Sequence, residues 1–301
     1  MIQKPLNTLV GVVPKLLRNT LAVVSTLFLF STIIITNMVQ MASLIIRPFS
    51  LKLFRKVNTL CAGSWWGLCV FFQERLYRIR PVFTGDVIPE RENAFLIVNH
   101  QGMTDILVLF GLAIRKKRLG NMKYFVKDVL KYVPGMGWGM LFLDCLFLKR
   151  NWEQDQDRIN RTFGKFKRED IPIWLVSFVE GTRISAAKVE ASQRYAQSKG
   201  LPEFNNVLLP RTKGFVAVVK NLRDHLDAIY DVTIIYPNGT PSLWQVVQGL
   251  VREFHLDVRR FPVDTLPTSD AGLSEWLLMR FREKDGAVEK LTAVKRLRSS
   301  P

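Results

Sequence analysis

From residue 19 to residue 46 the chain carries no ionisable side chain, and Arg18 and Arg47 bracket this run while Pro48 closes it. A helix crosses the hydrocarbon core of a bilayer with roughly 20 apolar residues, so the segment is long enough to enter a membrane. It lacks a small-residue cleavage pattern and does not read as a removable signal peptide. A second uncharged run, residues 57–73, carries Trp65, Trp66, Phe71 and Phe72, and tryptophan favours the membrane interface. Residues 1–85 hold ten basic side chains against the single acid Glu74. Basic residues flank both runs on both sides, and the positive-inside bias places all those flanks in the cytoplasm. A helical pair that dips into the cytoplasmic leaflet and returns satisfies this arrangement. A simple span and a buried core hairpin of a soluble protein are the alternatives. Cys61 and Cys69 fall inside this region, where they are expected only to pack.

The whole chain of 301 residues has 43 basic and 26 acidic side chains, a net charge of +17. That surplus points to phosphate-bearing partners: nucleic acid, an anionic membrane or an acidic small molecule. The 48% hydrophobic content excludes a disordered chain, and three cysteines exclude a disulfide scaffold.

Beyond Pro81 the pattern becomes α/β. Ala94–Val98 and residues 171–178 are continuous apolar runs of strand length, as expected of strands buried on both faces in a parallel sheet covered by helices. Residues 207–209 and 231–236 read as further strands, and helical periodicity fits 105–114 and 274–291. The predicted organisation is an N-terminal membrane-associated helical module over residues 1–80, followed by an α/β domain over 81–301.

Of the three histidines, His225 and His255 lie in mixed polar sequence and read as surface residues. His100 directly follows a predicted buried strand, with Asp105 five residues later. Five residues on one continuous helix turn the two side chains about 140° apart, so they meet only if His100 lies in a loop and Asp105 in the first turn of the next helix. Gly102 and Thr104, a candidate N-cap, supply that break. An aspartate bonded to one ring nitrogen leaves the other free as a general base. A helix-capping aspartate beside an unrelated histidine is the bland alternative. The other buried strand leads into Phe178-Val179-Glu180-Gly181-Thr182-Arg183, at the strand end where open α/β sheets bind ligands. Arg183 offers a planar donor fork for a phosphate, and Glu180 either orients Arg183 or accepts a hydroxyl proton. Lys149-Arg150 and Arg211-Thr212-Lys213 place further cations after apolar segments. The glycines 135, 137 and 139 do not make a dinucleotide fingerprint, no G-x-S-x-G elbow occurs, and Cys145 reads as a structural thiol.

Taken in order, these blocks resemble the lysophospholipid acyltransferase superfamily, and within it the 1-acyl-sn-glycerol-3-phosphate acyltransferase (PlsC-like) family, on the side of its short, strongly basic bacterial YihG-like branch. Asn99, His100 and Asp105 match an N-H-x-x-x-x-D block. Lys127, Leu130, Pro134, Gly137, Phe147 and Arg150 resemble a second. Phe178, Glu180, Gly181, Thr182 and Arg183 match F-P-E-G-T-R, with Val179 in place of the usual proline. Pro210, with Lys213 and Gly214 behind it, matches the fourth.

The resemblance implies a mostly parallel central sheet flanked by helices, with a membrane-embedded N-terminal helical pair. It implies acyl transfer from a thioester to the sn-2 hydroxyl of 1-acyl-sn-glycerol 3-phosphate, His100 acting as base and Asp105 orienting it. Asn99, Lys127, Arg150, Glu180, Gly181, Thr182, Arg183, Pro210 and Lys213 are then expected to bind substrate. No metal or cofactor is expected, acyl-CoA or acyl carrier protein being the donor substrate. The expected partners are anionic lipids, the lysophospholipid acceptor and the donor, with no nucleic acid; the expected location is a bacterial inner membrane with the catalytic domain on the cytoplasmic side. A different lysophospholipid such as lysophosphatidylglycerol, a hydrolytic variant and a non-catalytic membrane-binding protein are the competing readings.

Overall fold

The computed structural model describes residues 14–149 and 151–299. Its helices are α1 (Lys15–Ala42), α2 (Leu51–Phe71), α3 (Thr104–Arg115), α4 (Met136–Phe142), α5 (Trp152–Arg168), α6 (Ala186–Lys199), α7 (Thr212–Leu222), α8 (Leu243–Val247) and α9 (Asp270–Ser299). The strands are β1 (Arg80–Gly85), β2 (Ala94–Val98), β3 (Met122–Lys127), β4 (Leu146–Leu148), β5 (Trp174–Ser177), β6 (Ala228–Ile235) and β7 (Glu253–Pro262).

They form one sheet in the order β1-β7-β6-β2-β5-β3-β4. Five strands from β6 to β4 run parallel, and only the β6–β7 pairing is antiparallel. β2 sits near the centre and is buried along its whole length. Its side chains alternate between two cores: Ala94, Leu96 and Val98 face the layer of α2 and α3, whereas Phe95 and Ile97 face α5, α7 and α9. Burial on both faces is the reason its sequence reads as unbroken apolar residues rather than as alternation.

Residues 207–209, expected as a strand, are not one. Asp285 Oδ1 accepts the N–H groups of Asn205, Asn206 and Val207 at 3.0, 2.6 and 3.2 Å, and Ser192 Oγ accepts that of Leu209 at 3.0 Å. Side chains, not a neighbouring strand, satisfy this backbone. β7 was not anticipated, because its half-buried surface interleaves apolar and charged residues.

The two N-terminal helices pack against the α/β layers. Trp66 of α2 stacks on Phe110 of α3 with centroids 5.0 Å apart, and Arg115 at the end of α3 donates to both oxygens of Glu74. The stretch Lys15–Ile45 is long and apolar enough to cross a membrane, its most apolar 18 residues having a mean hydropathy of 2.0. It nonetheless touches the rest of the protein along its length. Gln248 Nε2 donates to Asn19 Oδ1, Trp65 Nε1 to the Leu29 carbonyl, and the Gly135 N–H to Asn37 Oδ1, at 2.7, 3.1 and 2.9 Å. Asn19 and Asn37 are about 27 Å apart along a helix. The opposite side of α1 exposes Leu21, Val24, Leu27, Phe30 and Ile35.

On the other face, Lys284 of α9 is wholly buried. Its ammonium donates to the Val232 carbonyl at 2.6 Å and pairs with Asp231 at 2.6 Å. Removing one member of a buried pair strands the other charge. Lys284→Met is therefore expected to cost about 3–5 kcal/mol in denaturant unfolding, and Lys284→Met/Asp231→Leu to recover most of it. A single variant within about 1 kcal/mol of wild type would contradict this.

Candidate active site

The five parallel strands end on one edge of the sheet, and the candidate residues lie along that edge. His100 follows β2, Glu180 to Arg183 follow β5, Lys127 ends β3, Lys149 follows β4 and Tyr236 follows β6. Loops at strand carboxyl ends are where such sheets bind ligands.

At the centre, His100 Nδ1 lies 2.8 Å from Asp105 Oδ2. The histidine side chain is 15% exposed and the aspartate 0%. Asp105 Oδ2 also accepts the N–H groups of Gln101 at 2.7 Å and Gly102 at 2.9 Å, while Oδ1 accepts the Tyr236 hydroxyl at 2.8 Å. Two N–H groups of the loop, a hydroxyl and the imidazole thus converge on one carboxylate. It holds the loop's shape and the ring's orientation together. The helix starts differently from the expectation: its N-cap is Met103, without a side-chain cap, and Thr104 Oγ1 donates instead to the Pro241 carbonyl. Asp105 itself satisfies the N–H groups ahead of the helix.

The loop after β5 contacts His100 in three ways. Phe178 stacks on the imidazole with centroids 4.0 Å apart and planes 19° apart. The His100 N–H donates to Glu180 Oε1 at 3.2 Å, and the Ile184 N–H donates to the His100 carbonyl at 2.8 Å. Glu180 does not pair with Arg183. It turns inward, 3% exposed, and burial pushes its carboxyl up to about 8, against the N–H groups of His100 and Leu208 and the charge of Lys284. Gly181 adopts φ +73°, in the left-handed region that suits glycine.

The other expected binding residues divide. Asn99 is fully buried, its amide donating to and accepting from the backbone of Ile234 at 2.9 and 2.8 Å. This side chain extends the β2–β6 ladder and sets the direction in which His100 leaves the sheet. Pro210 is buried; Arg183, Lys127 and Lys213 are exposed. Lys127 lies two strands from β2, roughly 10 Å away. Thr182 Oγ1 accepts from Lys188 Nζ at 2.7 Å. Arg150 lies outside the described residues. Phe178 and Tyr236 are the contributors that motif reading did not assign a role. Phe178 stands within a quoted motif, but Tyr236 lies 131 residues from Asp105 and has no local signal.

Among the described residues no group of three His, Cys, Asp or Glu is gathered as for a metal ion. Cys145 is buried, its thiol pushed up to about 11 by desolvation, so it is a poor nucleophile. A small apolar cavity of about 30 Å³ lies between α1, α2, α3 and α4. Ile33, Trp65, Trp66, Ile106, Phe110 and Met140 line it, and Ile106 adjoins Asp105.

The acyltransferase family matches residues 80–237, and the family described as acyltransferase C-terminus matches 245–299. The chain is 36% identical over 246 residues to the probable 1-acyl-sn-glycerol-3-phosphate acyltransferase 5 of Arabidopsis thaliana, covering 81% of this chain and 66% of that protein. It is 35% identical over 274 residues to 1-acyl-sn-glycerol-3-phosphate acyltransferase 3 of the same plant, with coverage of 89% and 73%. To the human 1-acyl-sn-glycerol-3-phosphate acyltransferase gamma it is 36% identical over 263 residues, with coverage of 85% and 69%. The chain thus spans about two thirds of the length of the first of these relatives, 66%. The crystal structure of the 1-acyl-sn-glycerophosphate acyltransferase PlsC from Thermotoga maritima shares the fold, with a TM-score of 0.56 at 18% identity over 92% of this chain and 97% of that one. By the family match over 80–237 and by these relatives, the chain belongs to the acyltransferase family and is an enzyme of that type.

Proposed function

We propose that the protein transfers a fatty acyl group from an acyl thioester to the free sn-2 hydroxyl of 1-acyl-sn-glycerol 3-phosphate, giving phosphatidate. The observation that carries this reading is the 2.8 Å contact between His100 Nδ1 and the four-fold bonded Asp105 carboxylate. With Nδ1–H donating to Asp105, Nε2 is the lone-pair nitrogen. It takes the proton of the acceptor hydroxyl as that oxygen bonds to the thioester carbonyl carbon. The tetrahedral oxyanion then collapses, the C–S bond breaks, and the imidazolium returns its proton to the leaving thiolate. No acyl-enzyme is formed. General-base help of this kind contributes roughly 10²–10⁴-fold, and positioning supplies much of the rest.

Glu180 serves the site from below. By accepting the His100 N–H it fixes the turn that carries Gly181, Thr182 and Arg183, and Arg183 meets the acceptor phosphate. Asn99 and Pro210 act through loop geometry, and Lys127 and Lys213 through the positive field at the mouth. That field also suits either acidic donor, acyl-CoA or acyl carrier protein. The apolar lining beside Ile106 marks the side from which an acyl chain approaches, each methylene it buries contributing about 0.8 kcal/mol. The exposed face of α1, lying along the protein rather than projecting from it, supports a helical pair held in one leaflet. The basic flanks of both helices support the cytoplasmic leaflet of an anionic membrane, at about 1 kcal/mol per cation near the surface. Assignment to a bacterial inner membrane and to the YihG-like branch rests on sequence resemblance.

The test is acyl transfer by isolated membranes, from labelled acyl-CoA and from acyl carrier protein, to a panel of lysophospholipids. Transfer to lysophosphatidate is expected from wild type and is expected to vanish in His100→Ala while the variant stays membrane-bound. Full activity in His100→Ala, or no transfer from folded wild type with either donor, overturns the reading. Glu180 yields a second expectation. With its carboxyl raised to about 8, the folded protein holds a proton that the unfolded chain releases above the ordinary carboxyl range. Stability is therefore lost as pH rises from about 5 to 8. Glu180→Gln is expected to be insensitive to that term, so its unfolding midpoint gains on wild type across this window; a constant difference would show that Glu180 titrates normally.

A further inference from the structure

We propose that Arg211 binds the acceptor's phosphate and biases the enzyme towards a phosphomonoester over a phosphodiester headgroup. This rests on the acyl-transfer reading above and names the feature that chooses its acceptor. The Arg211 N–H donates to the Val179 carbonyl at 2.8 Å, so residue 211 lies alongside the turn that touches His100. Its guanidinium occupies the space a side chain at Gly181 would fill: a Cβ built there would stand 2.6 Å from Nε and 2.8 Å from Cζ of Arg211. The glycine therefore does two things. It takes the φ of +73° that the turn needs, and it admits a guanidinium against the turn's backbone, next to the loop that holds the base.

The charges around this turn are unbalanced. Arg183 and Arg211 are exposed, and neither guanidinium has a hydrogen bond or ion pair to a described residue. Lys188 adds a third cation, its Nζ donating to Thr182 Oγ1 at 2.7 Å and to the Arg183 carbonyl at 2.9 Å. The turn's own acid, Glu180, faces the opposite way, into the protein and towards the His100 N–H. Three cations on a turn whose own acid faces inward make a local field suited to an anion of more than one charge. A phosphomonoester carries about 1.5–2 negative charges near neutral pH, since its second ionisation lies near pH 6, whereas a phosphodiester carries one. A guanidinium fork also matches the terminal oxygens of a monoester bidentately. Lysophosphatidate has that group, and lysophosphatidylglycerol does not.

Because Arg211 is exposed, Arg211→Met and Arg211→Lys are expected to fold, and an unfolding midpoint checks this. Initial rates are compared for lysophosphatidate and lysophosphatidylglycerol of one chain length, with acyl-CoA varied separately. Arg211→Met is expected to raise KM for lysophosphatidate about 30-fold, to change that for lysophosphatidylglycerol less than about fivefold, and to leave donor KM within about twofold. Arg211→Lys recovers part of the loss, and the rise of wild-type kcat/KM with the second ionisation of the acceptor flattens in Arg211→Met. Equal losses on both acceptors, a loss confined to donor KM, or no change overturns the assignment. Equilibrium binding of lysophosphatidate without donor, read by tryptophan fluorescence, separates this inference from the parent reading. Binding by wild type that Arg211→Met weakens supports the phosphate site even without turnover; equal binding by both contradicts it.

Discussion

The Asp105 carboxylate is the point on which the site depends. One group accepts from the His100 ring, from two N–H groups of the loop that carries His100, and from Tyr236 at the end of the neighbouring strand. A buried carboxylate is costly unless its lone pairs are satisfied. Here the donors that satisfy it are also the groups whose positions matter. The loop cannot change shape without unsealing the charge, and the ring cannot rotate without breaking a charge-assisted bond. The strand order makes this convergence available: β6 lies directly beside β2, so Tyr236 arrives next to Asp105 from 131 residues away.

The sheet edge organises the rest. β5 lies on the other side of β2 and brings Phe178 onto the imidazole and Glu180 under its backbone, while the cations of the same turn face outward. α3 links the candidate site to the apolar cavity. Its first turn holds Asp105, its Ile106 and Phe110 line the apolar cavity, and its last turn is gripped by Glu74, the one acid of the first 85 residues. The apolar cavity and the His100–Asp105 pair thus meet on a single helix.

Much of this was legible in the sequence, for identifiable reasons. Ala94–Val98 is a strand buried on both faces, and its sequence says so because both neighbours are helical layers. The helix over Thr104–Arg115 and the break before it follow from His100, Gly102 and Asp105. The two N-terminal helices follow from the uncharged runs 19–46 and 57–73 and the basic residues between them. What local sequence could not carry was long-range partnership. Asp285 replaces a strand neighbour for residues 205–207, Tyr236 closes the aspartate, and Lys284 neutralises Asp231 inside the core. Each pairs residues at least 50 positions apart. Of the two roles open to Glu180 in the sequence, orienting Arg183 is not the one the structure shows: Glu180 Oε1 accepts the His100 N–H, and Gly181 at φ +73° separates it from the exposed Arg183.

The most direct measurement is the turnover of Asp105→Asn with lysophosphatidate and acyl-CoA, alongside a proof that the variant is folded and membrane-bound. An asparagine keeps the shape, but its amide presents N–H groups to donors that need an acceptor. If Asp105 both orients His100 and stabilises its imidazolium, kcat is expected to fall by about 10²–10⁴-fold, with acceptor KM far less affected. A folded variant that retains kcat within about threefold of wild type would contradict the account, because the carboxylate would then hold the loop without serving the chemistry.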